Sequence, residues 1–164
     1  MSARTVAAIA LGSNLGNREQ HLKRAQALLE KTPGVVLLRR SAWHETEPVG
    51  GPEGQDPYLN GAALVETTLG AEELLAALQS IEDRLGRDRA TEGPNGARTL
   101  DLDLLWFGEE VRDTDALRLP HPRMEERLFV LAPLAEVAPD HGLPGCGRTV
   151  RERLEELRAA AGQG

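Results

Sequence analysis

Apolar residues form continuous or alternating stretches at 6–11, 35–43, 58–67 and 100–107, and between these they recur at helical spacing. The first kind of stretch predicts strands, the second helices. Leu22, Ala25, Leu28 and Leu29 mark one face of a helix ending before Thr32-Pro33-Gly34. Leu74, Leu75, Leu78, Ile81 and Leu85 mark another, with Glu72 and Glu73 in its acidic first turn and Gly86 closing it. Residues 12–17, Gly-Ser-Asn-Leu-Gly-Asn, read as a turn. Residues 44–57, which include Pro48, Gly50, Gly51, Pro52, Gly54 and Pro57, read as a long loop that no local pattern orders, and 87–97 as a second glycine-containing loop. After Phe107, a Gly108-Glu109 turn predicts a short return strand around Val111. Pro120-His121-Pro122 then breaks the chain, and Leu128, Leu131, Leu134 and Ala135 predict a helix. Thr149 and Glu152 form the S/T-x-x-E capping pattern of a last helix presenting Val150, Leu154 and Leu157. Short strands, helices between only some of them and a hairpin near Gly108 suit an α+β sheet with packed helices better than a doubly wound parallel sheet.

The length of 164 residues fits one domain, 1–164, with an ordinary core. An apolar fraction of 40% and a charged fraction of 27% describe a soluble protein, without an apolar run near the roughly 18 residues that span a membrane. The N-terminal apolar run is short and has no cleavage pattern after it, so a cytoplasmic protein is expected. The lone Cys146 excludes an internal disulfide. A net charge of −7 argues against a broad nucleic-acid or anionic-membrane surface. Any phosphate site must therefore be a local basic pocket, and the cations available are Lys23, Lys31 and seventeen arginines.

Within Arg98-Thr99-Leu100-Asp101-Leu102-Asp103-Leu104-Leu105, strand alternation turns Asp101 and Asp103 to one face and Leu100, Leu102 and Leu104 to the other. The aspartates then stand roughly 6.5–7 Å apart at Cα. With Mg²⁺ between them they would grip a phosphate; an amphipathic strand with a wet face explains the same alternation. Arg87 and Arg89 open the loop that leads to this strand and Arg98 closes it, an arrangement suited to a polyphosphate held by metal and guanidinium groups together. His121, between two prolines, is a candidate donor to phosphate. Tyr58 beside Asn60 suits a flat heterocycle stacked on an aromatic ring and read by an amide, although a tyrosine opening a strand also simply packs. Zinc spacings, a Walker A motif, a GxSxG elbow and kinase signatures are absent from the sequence.

Gly12-Ser13-Asn14-Leu15, Tyr58-Leu59-Asn60, Arg98-Thr99-Leu100-Asp101-Leu102-Asp103, Pro120-His121, and Arg127 with Phe129 together resemble, in order and spacing, the 6-hydroxymethyl-7,8-dihydropterin pyrophosphokinase family over nearly the whole chain. The resemblance implies a ferredoxin-like, mainly antiparallel sheet with mobile catalytic loops, and transfer of pyrophosphate from ATP to the pterin hydroxymethyl group with release of AMP, in folate biosynthesis. It also implies two Mg²⁺ ions on Asp101 and Asp103. Tyr58 and Phe129 would sandwich the pterin, with Asn60 and backbone near Thr46 and Val49 reading its polar edge. Gln79, Glu82, Arg87, Arg89, Arg98, Leu104, His121 and Arg127 would surround ATP. Arg87, Arg89, Arg98, Asp101, Asp103 and His121 are the expected catalytic set. No side chain stands out as a general base, so the hydroxymethyl group is expected to be activated by metal. The chain departs from some members at residues 94–97, Pro-Asn-Gly-Ala where they carry Arg-Trp-Gly-Pro, and at Pro122 where they carry tyrosine. ATP and a dihydropterin are the expected partners of a monomer that binds neither nucleic acid nor membrane. A metal-dependent phosphohydrolase and a pterin-binding module without transfer activity are the alternatives.

Overall fold

The computed structural model describes residues 4–13, 18–46, 58–85, 100–122, 124–143 and 147–160. Their main elements run β1 (Thr5–Ser13), α1 (Arg18–Lys31), β2 (Val35–Arg40), β3 (His44–Thr46), β4 (Tyr58–Thr67), α2 (Ala71–Arg84), β5 (Asp101–Phe107), β6 (Arg112–Asp113), β7 (Arg118–Leu119), α3 (Leu128–Val137), β8 (Gly142–Leu143), β9 (Arg148–Thr149) and α4 (Val150–Ala160). The central sheet has the order β2-β4-β1-β5, with β3 also paired to β4, and every pairing is antiparallel. With β2 and β3 taken as one interrupted edge, this is the β-α-β-β-α-β arrangement of a ferredoxin-like fold. The alternation of strands and helices is thus an α+β layering, as the sequence pattern indicates.

The sheet is apolar on both faces, so each face needs its own cover. On one, Ala7, Ile9, Leu11, Ala63, Val65, Leu102 and Leu104 pack against Leu22, Ala25 and Leu29 of α1 and Leu74, Leu78 and Ile81 of α2. On the other, Ala8, Ala62, Leu105 and Trp106 meet Val130, Leu131 and Leu134 of α3 and Val150 and Leu154 of α4. Trp106 stacks on His141, ring centroids 3.6 Å apart and planes within 3°. A bulge shifts the phase of β5: Leu104 stands opposite Ile9 and Trp106 opposite Ala8, so Leu105 is an extra residue and two successive large side chains enter the α3 layer.

Four details differ from the sequence reading. Gly12 and Ser13 belong to β1, pairing with Asn60 and Leu59, rather than to a turn. The predicted strand 35–43 stops at Arg40; within it a bulge at Leu38 breaks the alternation and leaves that side chain 44% exposed, and pairing with β4 resumes at Arg39. Buried Ser41 carries the edge onward: its N–H donates to the Ala62 carbonyl (2.9 Å), and its Oγ accepts from the Ala62 N–H (2.8 Å). His44–Thr46, read as loop, is instead a strand set by pairing with the distant Tyr58–Asn60. The return strand expected near Val111 is β6, which pairs with β7 and not with β5, and Val111 itself is 76% exposed. The predictions for 14–17, 47–57, 87–97, Gly86 and Cys146 lie outside the described residues. Among the described residues no helix is long and apolar enough to cross a membrane.

Candidate active site

The row of residues crossing the end of the sheet defines the site. Asp101 stands opposite Gly12, Gly12 opposite Asn60, and Asn60 opposite His44. Directly opposed residues in antiparallel strands share a face, so all four positions look toward the side of the sheet that α3 covers. One step inward, Asp103 is opposite Ala10 and Ala10 opposite Ala62. Glycine and alanine at the centre keep this floor low between the acids on β5 and the buried amide of Asn60. The alternation expected of β5 is present: Leu100, Leu102 and Leu104 are buried among the α1 and α2 side chains, while Asp101 is half-buried and Asp103 exposed.

Two further contacts fix β5. Glu82 of α2 is 6% exposed, and its Oε2 accepts the Leu102 N–H at 2.8 Å, satisfying a donor on the outer edge between the two aspartates. The carbonyl of Leu105, the bulge residue, accepts the His121 N–H at 2.7 Å. His121 follows a cis Leu119-Pro120 bond and is half-buried. Arg127 caps the start of α3 with extended backbone and holds its guanidinium carbon 5.7 Å from the Phe129 ring centroid, within cation–π range.

The expected residues therefore divide into groups. Asp101, Asp103 and His121 are mounted on or against β5, Asn60 faces the same side, and Arg127 with Phe129 opens α3. Glu82 is engaged with the Leu102 amide and so holds β5. Gln79 is exposed one turn earlier on α2. The side chain of Leu104, 4% exposed, points into the α1/α2 layer, away from the carboxylate face; only its main chain is left for a nucleotide contact. Arg87, Arg89, Arg98 and Val49 lie outside the described residues, as do the side chains of Thr46 and Tyr58, whose backbones pair with each other in the β3–β4 ladder.

Glu136 and His44 escaped the sequence reading. Glu136 Oε1 accepts the Ala42 N–H at 2.8 Å, and its Oε2 pairs with His44 Nε2. Burial pushes the Glu136 carboxyl up, but the Ala42 amide and the His44 pair outweigh it and leave the group below its ordinary range. A signal was present: Glu136 is the one charged residue in LFVLAPLAEV.

The donor set suits Mg²⁺. Among the described residues no cluster of three or more His, Cys, Asp or Glu could cage a metal. Two carboxylates on one strand face nonetheless match an ion that takes one or two protein oxygens and fills its remaining positions with water and substrate phosphates.

A carboxylate pair and a buried amide thus share one face of an antiparallel α+β sheet. Residues 8–139 match the model of the 7,8-dihydro-6-hydroxymethylpterin-pyrophosphokinase (HPPK) family, and the chain belongs to that family. It is 50% identical over 132 residues to the 2-amino-4-hydroxy-6-hydroxymethyldihydropteridine pyrophosphokinase of Bacillus subtilis, covering 80% of this chain and 77% of that one. With the protein of the same name from Methylorubrum extorquens it shares 44% identity over 154 residues, 93% of this chain and 94% of the other. The fold is also that of wild-type Plasmodium falciparum HPPK-DHPS crystallised with pteroate, at a TM-score of 0.77 and 11% identity; the match covers 97% of this chain but 45% of that longer one.

Proposed function

We propose that the protein transfers the β,γ-diphosphate of ATP to the hydroxymethyl group of 6-hydroxymethyl-7,8-dihydropterin, forming the pterin diphosphate and AMP for folate biosynthesis, in a Mg²⁺-dependent reaction. The observation that carries this reading is the row joining Asp101 through Gly12 to Asn60, in a chain of the pyrophosphokinase family. It sets on one floor a pair of acids suited to metal-bound phosphate and an amide suited to the edge of a heterocycle.

In the reaction the substrate hydroxyl oxygen attacks the β-phosphorus in line. The bond from that phosphorus to the oxygen of the α-phosphate breaks, and AMP leaves with the electron pair while the hydroxyl loses its proton. Asp101 and Asp103 would hold two Mg²⁺. When bound, these ions neutralise phosphate charge and lower the pKa of the attacking hydroxyl. Asn60 hydrogen-bonds the polar edge of the pterin, Phe129 stacks on its face with Tyr58 opposite, and backbone near Thr46 and Val49 completes the edge. His121 donates to a phosphate oxygen. Arg87, Arg89, Arg98 and Arg127 spread positive charge over the triphosphate, and Gln79 and the Leu104 main chain contact the nucleotide. Residues 1–164 act as one domain, a cytoplasmic monomer.

Purified protein incubated with Mg-ATP and 6-hydroxymethyl-7,8-dihydropterin, with AMP resolved from ADP, tests this. AMP formed only when the pterin is present is the expected result. ADP as product, or phosphate release indifferent to pterin, would refute it.

A further inference from the structure

We propose that Glu136 is a positioning residue for the heterocycle: the carboxylate that ties α3 to β3 sets the separation between Phe129 and Asn60. The inference rests on the reading that these two residues hold the pterin. Glu136 reaches from the helix layer to the sheet and makes two bonds at once, Oε1 to the Ala42 N–H at 2.8 Å and Oε2 to His44 Nε2. His44 stands directly opposite Asn60, so the clamp grips the sheet one strand away from the amide expected to read the substrate. On α3, Phe129 precedes Glu136 by seven residues, two turns and about 10 Å along the axis, on the same helix face.

Among the described residues, Val130, Leu131, Leu134 and Val137 supply the buried apolar face of α3, and hydrophobic burial is by itself non-directional. Two hydrogen bonds converging on one carboxylate supply the missing direction. The His44 and Glu136 side chains are 31% and 40% exposed, a setting in which an ion pair adds little to overall stability. The effect of the clamp falls instead on where the Phe129 end of the helix rests.

The test is steady-state AMP formation by the full chain, varying pterin at saturating Mg-ATP and then the reverse, alongside melting temperatures. Glu136→Ala should raise the KM for pterin roughly tenfold, the scale of a small misplacement in a site. The KM for ATP should stay within about twofold and the melting temperature near that of wild type. Glu136→Gln, which keeps an oxygen for the Ala42 amide, should recover most of the loss. An unchanged pterin KM in Glu136→Ala, or a parallel rise in both constants, overturns the proposal. Should Glu136→Ala fail to fold, His44→Phe decides, because it removes one arm and leaves the other: a raised KM for pterin alone supports the role, and an unchanged one overturns it. A wild-type protein that forms no pterin-dependent AMP would defeat the function and this inference together. Active wild type with indifferent variants defeats the inference alone.

Discussion

Gly61 occupies a position where a methyl group has no room: a Cβ there would lie 2.4 and 2.5 Å from two atoms of the Trp43 ring. Gly61→Ala must shift the indole or the strand, and is expected to destabilise by ~1–3 kcal/mol, as overpacking does, read from the midpoint of urea unfolding. At the acids the expectation is different. Asp101→Ala and Asp103→Ala should each abolish Mg²⁺-dependent AMP formation while leaving the melting temperature near that of wild type, since the first side chain is only half-buried and the second exposed. Retained turnover in both variants would remove them from the metal site. His141, half-buried against Trp106, has its pKa lowered from 6.5 by desolvation. The unfolded chain therefore takes up this proton first. Stability from this residue is complete above pH 6.5 and declines as the pH falls from there through the lower folded value. His141→Phe keeps a ring for the stack and should flatten that part of the pH–melting curve; His21, lowered by burial and then by Arg24, keeps some slope in both proteins. Asp101 and Asp103 could be read from sequence because a strand's two-residue period is a local property. Glu136 stood out as a lone charge in an apolar helix, but its partner His44, 92 positions away, could not be read.

Among elements, β5 depends most on a neighbour. Its outer edge has no strand alongside it in the described sheet order, and buried Glu82 meets the Leu102 amide there. Glu82→Ala leaves that amide without its acceptor, at an expected cost of ~1–3 kcal/mol, while Glu82→Gln retains an oxygen and should cost less. Paired chemical-denaturation curves check the difference. Helix ends were legible for a related reason. The capping box predicted at Thr149 and Glu152 is present in both directions, at 2.9 and 3.2 Å, because its partners are three residues apart. β3 was not legible: nothing in His44–Thr46 favours a strand until Tyr58–Asn60 is brought alongside. The bulge in β2 was not legible either, because the register slip between Leu37 and Arg39 shows only against the partner strand β4.

For the whole molecule, the apolar pattern gave α+β, but it could not order the strands. Ile9 and Ala8 are both buried, and only the assembled sheet assigns the first to the α1/α2 layer and the second to the α3/α4 layer. The ferredoxin-like topology came from the family resemblance, and the order β2-β4-β1-β5 agrees with it. Because β1, β4 and β5 contribute to both layers, neither layer can dissolve without exposing a face of the same sheet. Unfolding is accordingly expected to be one cooperative transition, with tryptophan fluorescence and far-ultraviolet dichroism giving the same midpoint. Two separated midpoints would mean that the layers melt independently.

The bulge on β5 has a mechanical consequence. Asp101 and Asp103 are part of the strand, and His121 hangs from the carbonyl of the bulge residue Leu105. All three share one chassis, the edge strand β5, whereas Phe129 rides on a helix of its own. Vibration should carry the acids and the His121 backbone together, keeping the spacing between them steadier than the distance from any of them to Phe129.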